Sequence, residues 1–411
     1  SIPRTLVGVA GLPAHKKATT SLIRCRGAFL LSVSLTAASC SCLRTAFRNP
    51  PAHLHALSSS HLRLRGGGSS SASPTKRSLS MSSDGSKKAR TGKRIGTHDG
   101  TFHCDEALAC FLLKRTKAYE GASVTRTRDP AVLETMDAVV DVGGTYEPEK
   151  MRYDHHQRGF EETFDAKHKT KLSSAGLVYK HHGREVIAGL MPGQPEATVE
   201  LIFQKMYDNV IEELDAVDNG ISAYPADLTP KYRTSSSLPQ RVGGLNPYWN
   251  EESNDIDERF AKASELAGSE FIDQANYYIK AWLPARALVE KALAKRGEVD
   301  KSGQIIVFET GCPWKEHLFE LEADAKLPAP LLYTLYPDQG GKWRVQCVPE
   351  RPDSFNSRKP LPAAWQGVRD QALSDLSGIK GCIFVHASGF IGGCDSYEGA
   401  LKMAQMSIEG V

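Results

Sequence analysis

The first 83 of the 411 residues contain no aspartate or glutamate, yet they carry eleven lysines and arginines among many serines, alanines and glycines. A segment of charge +11 without a recurring apolar face specifies no packed core, and its composition is that of an organelle-targeting leader. A secretory signal is the competing reading, because RCRGAFLLSVSLTAASCSC has a charged start, a short apolar run and small residues after it. Also missing is the stretch of about 20 apolar residues that a bilayer-spanning helix needs. The run GAFLLSVSLTAA falls short of it and no other segment is longer, so no membrane span is expected. None of the nine cysteines forms a CxxC pair, and six stand beyond the leader, at 104, 110, 312, 347, 382 and 394. That excludes a disulfide scaffold and a zinc ribbon and favours free thiols in a reducing compartment.

With the leader set aside, 40 basic residues face 48 acidic ones, a net of −8, so the sequence pI near 8.3 belongs to the leader and the body is mildly acidic. The length suggests about two domains of ordinary size plus extras. GGGSSSASPTKRSLSMSSDGSKKARTGKR reads as a flexible linker with Met81 as an alternative start, and KKARTGKR (87–94) as a nuclear signal or a solvated linker.

The body alternates strand and helix. RIGTH (94–98) is expected as a strand and 104–119 as a helix with Ala107, Leu108, Phe111 and Leu112 on one face. Strands follow at 123–128 and 137–144, the latter an apolar run such as parallel, doubly covered strands show. Helices are expected near 173–190, 196–217 and 252–280. After WLPARALVEKALAKRG the composition turns β-rich, with QIIVFE, LLYTLY, KWRVQCV and CIFVHA, which predicts a second α/β domain. The expected boundaries are 1–90 for leader and linker, 91–250 for a parallel-sheet α/β domain, 251–298 for a helical connector and 299–411 for a smaller α/β domain.

Four loops at strand or helix ends concentrate acids and histidines. They hold His98, Asp99, His103 and Asp105; Asp141; Asp154, His155 and His156; and Asp215 and Asp218. In open α/β sheets ligands sit beyond the carboxyl ends of the strands, where three of these clusters fall. Each has a bland reading: Asp105 as a first-turn acid complementing the helix dipole, Asp141 as a turn residue, Asp218 as a helix end. A single site for two metal ions explains all four. His181 and His182 read instead as the last turn of a helix, Cys312 and His317 as packing residues, and Cys104 as turned away from whatever its neighbours bind. HASGFIGGCDSYEGAL (386–401) is read either as a ligand-approaching glycine loop before a helix N-terminus or as a plain glycine turn.

The strings THDGTFHCDEALA, VVDVGG, YDHHQ, LSSAGLVY, DAVDNGIS, WLPARALVE, CPWKEHL, WRVQCVP and CIFVHASGFIGG, in order from about residue 94 to the C-terminus, resemble the melanocyte proliferating gene family of exonucleases, a branch of the DHH phosphoesterase superfamily. The resemblance implies a two-metal phosphodiesterase of DHH-type fold that trims single-stranded RNA from its 3′ end, in mitochondria, the nucleus or both. By resemblance, His98, His103 and Asp105 belong to the metal loop, with Asp99 as a substitute because His103 stands where the superfamily usually has Asp. Asp141 bridges the ions, His155 binds the second ion with Asp154 orienting it, His156 faces the phosphate, and Asp218 or Asp215 closes the second site. The C-terminal domain would hold RNA through His386, Gly389, Gly392, Gly393 and Arg344, with Arg351 and Arg358 as further phosphate contacts and Trp343 or Phe390 as a stacking face. Carboxylate and imidazole donors without thiolate suit manganese, with magnesium as the alternative. A hydrolase of pyrophosphate or cyclic dinucleotides and an idle RNA-binding protein are the competing functions.

Overall fold

A computed structural model describes residues 92–410; the leader and most of the linker lie outside the described residues. Two five-stranded sheets organise the described chain. The first has the order β2-β1-β3-β5-β4, from β1 (Arg94–Thr97), β2 (Ser123–Arg126), β3 (Ala138–Val140), β4 (Tyr146–Glu147) and β5 (Arg152–Tyr153). Four neighbouring strands run parallel and β4 closes the edge antiparallel, so the sheet is mixed and not wholly parallel as expected.

Helix α1 (Cys104–Lys114) is shorter than the expected 104–119, because the chain turns at Arg115 and resumes as a short 3₁₀ segment, Lys117–Tyr119. It is apolar nearly all round, with every residue from Cys104 to Leu113 buried, as befits a helix between other layers. Leu108 and Leu112 are wholly enclosed, and truncating either to Ala would cost roughly 2–5 kcal/mol. Around α1 lie α2 (Pro130–Leu133), α3 (Ser174–Leu190), α4 (Glu196–Met206), α5 (Glu212–Asp218), α6 (Leu238–Gly243) and α7 (Ile256–Tyr277). A π-type turn, Tyr207–Ile211, joins α4 to α5 without a break; a second, Tyr278–Trp282, carries α7 into α8 (Leu283–Ala294), followed by α9 (Arg296–Val299). The helical connector is therefore one continuous run that passes through Pro284.

The second sheet has the order β6-β7-β8-β10-β9, with β6 (Ile305–Val307) parallel to β7 (Tyr333–Pro337) and the rest antiparallel: β8 (Trp343–Cys347), β9 (Cys382–Val385) and β10 (Ile391–Cys394). Helices α10 (Lys315–Ala325), α11 (Asp370–Ser377) and α12 (Tyr397–Glu409) accompany it. Each sheet has its own apolar cluster, and both belong to one compact unit. The protein has a mixed α/β fold. All six described cysteines are free, and no described helix is long and apolar enough to cross a membrane.

Candidate metal centre

The three parallel strands β1, β3 and β5 end on one edge of the first sheet, and each delivers its next residues to the same place: His98 after β1, Asp141 after β3, Asp154 to His156 after β5. Asp141 sits in the left-handed region, with φ of 59°, a strained conformation for a non-glycine residue that turns the chain sharply after Val140. Its carboxylate is buried and lies between two imidazoles. Oδ2 is 3.3 Å from His98 Nε2, and Oδ1 is 3.2 Å from His155 Nε2. On the far side, Asp218 Oδ2 lies 3.1 Å from the same nitrogen of His155.

Three overlapping groups of potential ligand atoms result, each within 4.8 Å: His98, His103, Glu106 and Asp141; Asp141, His155 and His156; His103, Asp105 and Asp218. Asp141 is common to the first two and His103 to the first and third. The hydrogen bonding is incomplete where it would normally be complete. Asp105 Oδ1, Asp141 Oδ1 and both ring nitrogens of His155 are buried without an aligned hydrogen-bond partner, although donor and acceptor atoms crowd within 3.3 Å. Buried polar atoms are rarely left so, because each costs roughly 1–3 kcal/mol. Groups that point lone pairs at a common space fit a cation, and imidazole with carboxylate suits a divalent one. Cys104 borders the larger cavity but belongs to none of the three groups, and burial pushes its thiol up.

The charges follow from this crowding. Burial disfavours the charged ring of His98, yet pairing with Asp141 and Glu106 outweighs it and raises the pKa to about 10. His155 is likewise raised against the effect of burial, to about 9, by Asp141 and Asp218. Burial works against ionised Asp141 too, but His155 and His98 hold it at about 2. Asp105 is pushed well up, first by burial and then by the Asp141 and Asp218 charges; Ser174 Oγ donates to its Oδ2 at 2.8 Å.

Several expectations change. Asp154 does not orient His155: its Oδ1 is 2.7 Å from His156 Nδ1 and accepts from the His156 amide, while Oδ2 accepts from Gly144 N. The His156 ring, largely exposed, keeps Nε2 free. Asp215 is in none of the three groups. It is fully enclosed and accepts from Ser173 N, Ser173 Oγ and Gly176 N at the start of α3 and from Tyr207 Oη, which uses its oxygens up. A Cβ at Gly176 would lie 2.3 Å from that carboxylate, so the glycine is what admits it. Asp99 is exposed, pairs with Arg128 at 3.3 Å and is in none of the three groups. Glu106, which sequence reasoning missed, is wholly buried, accepts from the His103 amide and approaches His98 Nε2 to 3.1 Å. Its place three residues after the helix-capping His103 was the available signal. His181 and His182 lie within α3, not at its end, and meet the hydroxyls of Tyr146 and Tyr153 at 2.8 Å. His317 is buried against the Trp282 carbonyl.

The cluster lies where two cavities meet. One, about 720 Å³, is bounded by Asp105, Asp218, Gln157, Lys171, Asn219 and α6; the other, about 340 Å³, by His98, Arg128, Gly143 and Asp154; His103, Asp141 and His156 line both.

The residues expected to hold substrate in the second sheet are disposed otherwise. Gly392 and Gly393 are buried inside β10, where a turn was the alternative reading. A Cβ at Gly393 would meet Arg344 Nη1 at 2.6 Å, and one at Gly392 would meet Leu361 and Met403 at 3.0 Å, so the protein's own side chains occupy the space above them. Arg344 pairs with Asp338 and Arg358 with Glu322, Arg351 is exposed, and Trp343 packs on Tyr397. Gly389, with φ of 69°, closes the turn after β9; His386 is exposed on that turn, its Nδ1 2.9 Å from Ser388 Oγ and its ring against Phe390.

Comparison with known proteins agrees with this architecture. Residues 94–408 match the MYG1 exonuclease family, described as an uncharacterised protein family (UPF0160). The MYG1 exonuclease of Mus musculus is 53% identical over 322 residues, covering 77% of this chain and 84% of the mouse protein. That of Homo sapiens is 50% identical over 348 residues, 83% of this chain and 90% of its own. The MYG1 protein of Dictyostelium discoideum is 50% identical over 312 residues, 75% and 94% respectively. With a match over most of the chain and relatives at this identity, the protein belongs to the MYG1 exonuclease family.

Proposed function

We propose that this protein is a metal-dependent phosphodiesterase that removes nucleotides from the 3′ end of single-stranded RNA. The observation that carries the reading is Asp141, a strained, buried carboxylate whose two oxygens face different histidines, His98 and His155. The names of the mammalian relatives support an exonuclease, and the resemblance to DHH phosphoesterases supports RNA, the direction and the two-ion mode. Bound divalent ions, manganese or magnesium, supply activation of water and neutralisation of phosphate charge.

The chain's own groups do the rest. His98, His103, Glu106 and Asp141 would hold one ion, and Asp141 and His155, with Asp218 and Asp105 beside them, would hold the other. Asp154 fixes the His156 ring by its Nδ1 and favours its protonated form, leaving Nε2–H toward both cavities. There it meets the scissile phosphate. Water oxygen joins phosphorus and releases a proton to solvent, the bond from phosphorus to the leaving sugar oxygen breaks, and His156 is placed to give that oxygen its proton and to regain one from solvent. Residues 299–411 are assigned to gripping RNA, with His386 as the exposed polar group of the 386–389 turn. The acid-free leader supports delivery to mitochondria, and the basic 87–94 segment to the nucleus.

The test is hydrolysis by the chain from residue 91 onward, with manganese, of single-stranded RNA labelled at the 5′ or the 3′ end, beside DNA, pyrophosphate and a cyclic dinucleotide. Stepwise shortening of 5′-labelled RNA is expected. Turnover of pyrophosphate or the cyclic dinucleotide alone would replace this reading with the small-molecule one.

A further inference from the structure

The segment between Asn219 and Trp249 is tied to the metal centre at both ends. Asn219 donates to the carbonyls of Lys171 and Asp215 and lines the larger cavity beside Asp218. At the other end Asn246 clamps Phe102, the residue before His103, accepting from its amide at 3.0 Å and donating to its carbonyl at 2.9 Å. Between them α6 forms part of the cavity wall. What the segment exposes is unusual. Of the twelve large apolar side chains exposed among the described residues, six lie between 221 and 249, including Tyr224 at 56%, Tyr232 at 80%, Tyr248 at 74% and Trp249 at 96%. Exposed aromatic rings concentrated in one segment beside a cavity offer faces for a ligand.

Charge narrows the occupant. In a body of net −8, residues 221–250 carry Lys231, Arg233 and Arg241 against Asp227 as the only acid. Arg241 is paired with Glu270, whereas neither Lys231 nor Arg233 has an acidic partner among the described residues. Aromatic faces interleaved with unpaired cations are what a single strand of nucleic acid binds, bases on the rings and phosphates on the cations, with little regard to sequence.

We infer that the 221–250 segment is a stacking platform that receives the part of a single-stranded nucleic acid lying outside the catalytic cleft. The inference rests on the nuclease reading for what enters the cleft, but the platform can be read without turnover. It makes affinity depend on strand length: a dinucleotide engages the cleft alone, a longer strand also the rings.

The experiment uses the full chain, with the paired variants Tyr248→Ala/Trp249→Ala and Lys231→Ser/Arg233→Ser, whose positions contribute no metal-facing group. Anisotropy of a labelled 12-nucleotide single strand in chelator reports binding. Hydrolysis of bis(p-nitrophenyl) phosphate with manganese reports the centre. Each variant is expected to weaken 12-mer binding about tenfold or more while small-ester hydrolysis and dinucleotide binding stay unchanged. Unchanged 12-mer affinity overturns the platform, as does equal weakening for dinucleotide and 12-mer. Sedimentation showing a wild-type dimer that both variants dissolve overturns it in favour of a self-association surface. If the wild type binds the 12-mer but hydrolyses neither substrate, the nuclease reading fails and the platform stands.

Discussion

The two sheets place similar sequence material, histidine and glycine at strand ends before a helix, and finish it in opposite ways. After β1, β3 and β5 the polar groups are buried with their hydrogen bonding left open: Asp105, Asp141 and His155 all have atoms without aligned partners. Around β10 the close approaches are met internally, since Arg344, Phe384, Leu361 and Met403 fill the space above the two glycines. Arg344 Nη1, above Gly393, is also buried without a hydrogen-bond partner, so neither motif content nor a single open atom separates a site from a structural corner; the gathering of several histidine and carboxylate atoms within 4.8 Å of one another does. A second contrast lies within one helix, where Asp215 and Asp218 are three residues apart. The first is saturated by four donors and serves α3, while the second faces His155.

The comparison breaks most visibly at Asp141. Asp141→Ala should lower metal-dependent turnover on the order of a thousandfold or more, because it strips a donor from both holding sets, while circular dichroism and the thermal midpoint report an intact fold. Turnover near wild type would remove the shared carboxylate from the account. Next in size is Asp154→Asn, which frees the His156 ring. A fall of about 10- to 100-fold in kcat is expected, with metal affinity retained, and a metal titration beside steady-state kinetics separates the two.

In the second sheet the expected loss is of stability. Gly393→Val should cost roughly 1–3 kcal/mol in denaturant unfolding, through collision with Arg344 and Phe384, and leave metal affinity unchanged. A variant as stable as wild type that binds RNA poorly would restore the glycines to a ligand-contacting role.

The Asp215 and Asp218 pair gives the finest contrast. Asp218→Asn should weaken metal binding; Asp215→Asn should not. Burial raises Asp215 to about 7 despite its donors, so this acid binds its proton more tightly folded than unfolded. Its contribution is present below the ordinary carboxylate range and is lost as pH rises from about 4 through 7. Unfolding measured across that window should show a shallower pH dependence in Asp215→Asn than in wild type.

Much of the fold and of the candidate metal centre is legible in the sequence. Apolar runs ending in His98 and Asp141 mark strands that finish at a ligand edge, and the helices at 174–190 and 196–218 follow from periodicity. Three things are not legible. Which carboxylate serves which imidazole depends on backbone direction over single residues, so adjacency in YDHHQ suggests Asp154 for His155 although its carboxylate turns to His156. Whether an acid is saturated depends on distant donors: Ser173 and Gly176 lie some 40 residues before Asp215 in sequence. And IGGC reads as a loop or turn, because two glycines forfeit strand propensity; β10 is a strand paired on both sides, with side chains from β8, β9, α12 and the 361 loop lying over its glycines.

The central claim is that one carboxylate joins two metal positions. Electron paramagnetic resonance of the protein loaded with two equivalents of manganese tests it directly. The account predicts a spin-coupled spectrum in the wild type that gives way to the signal of isolated ions in Asp141→Asn. Isolated-ion signals from the wild type at full loading, or saturation at a single equivalent, would contradict it.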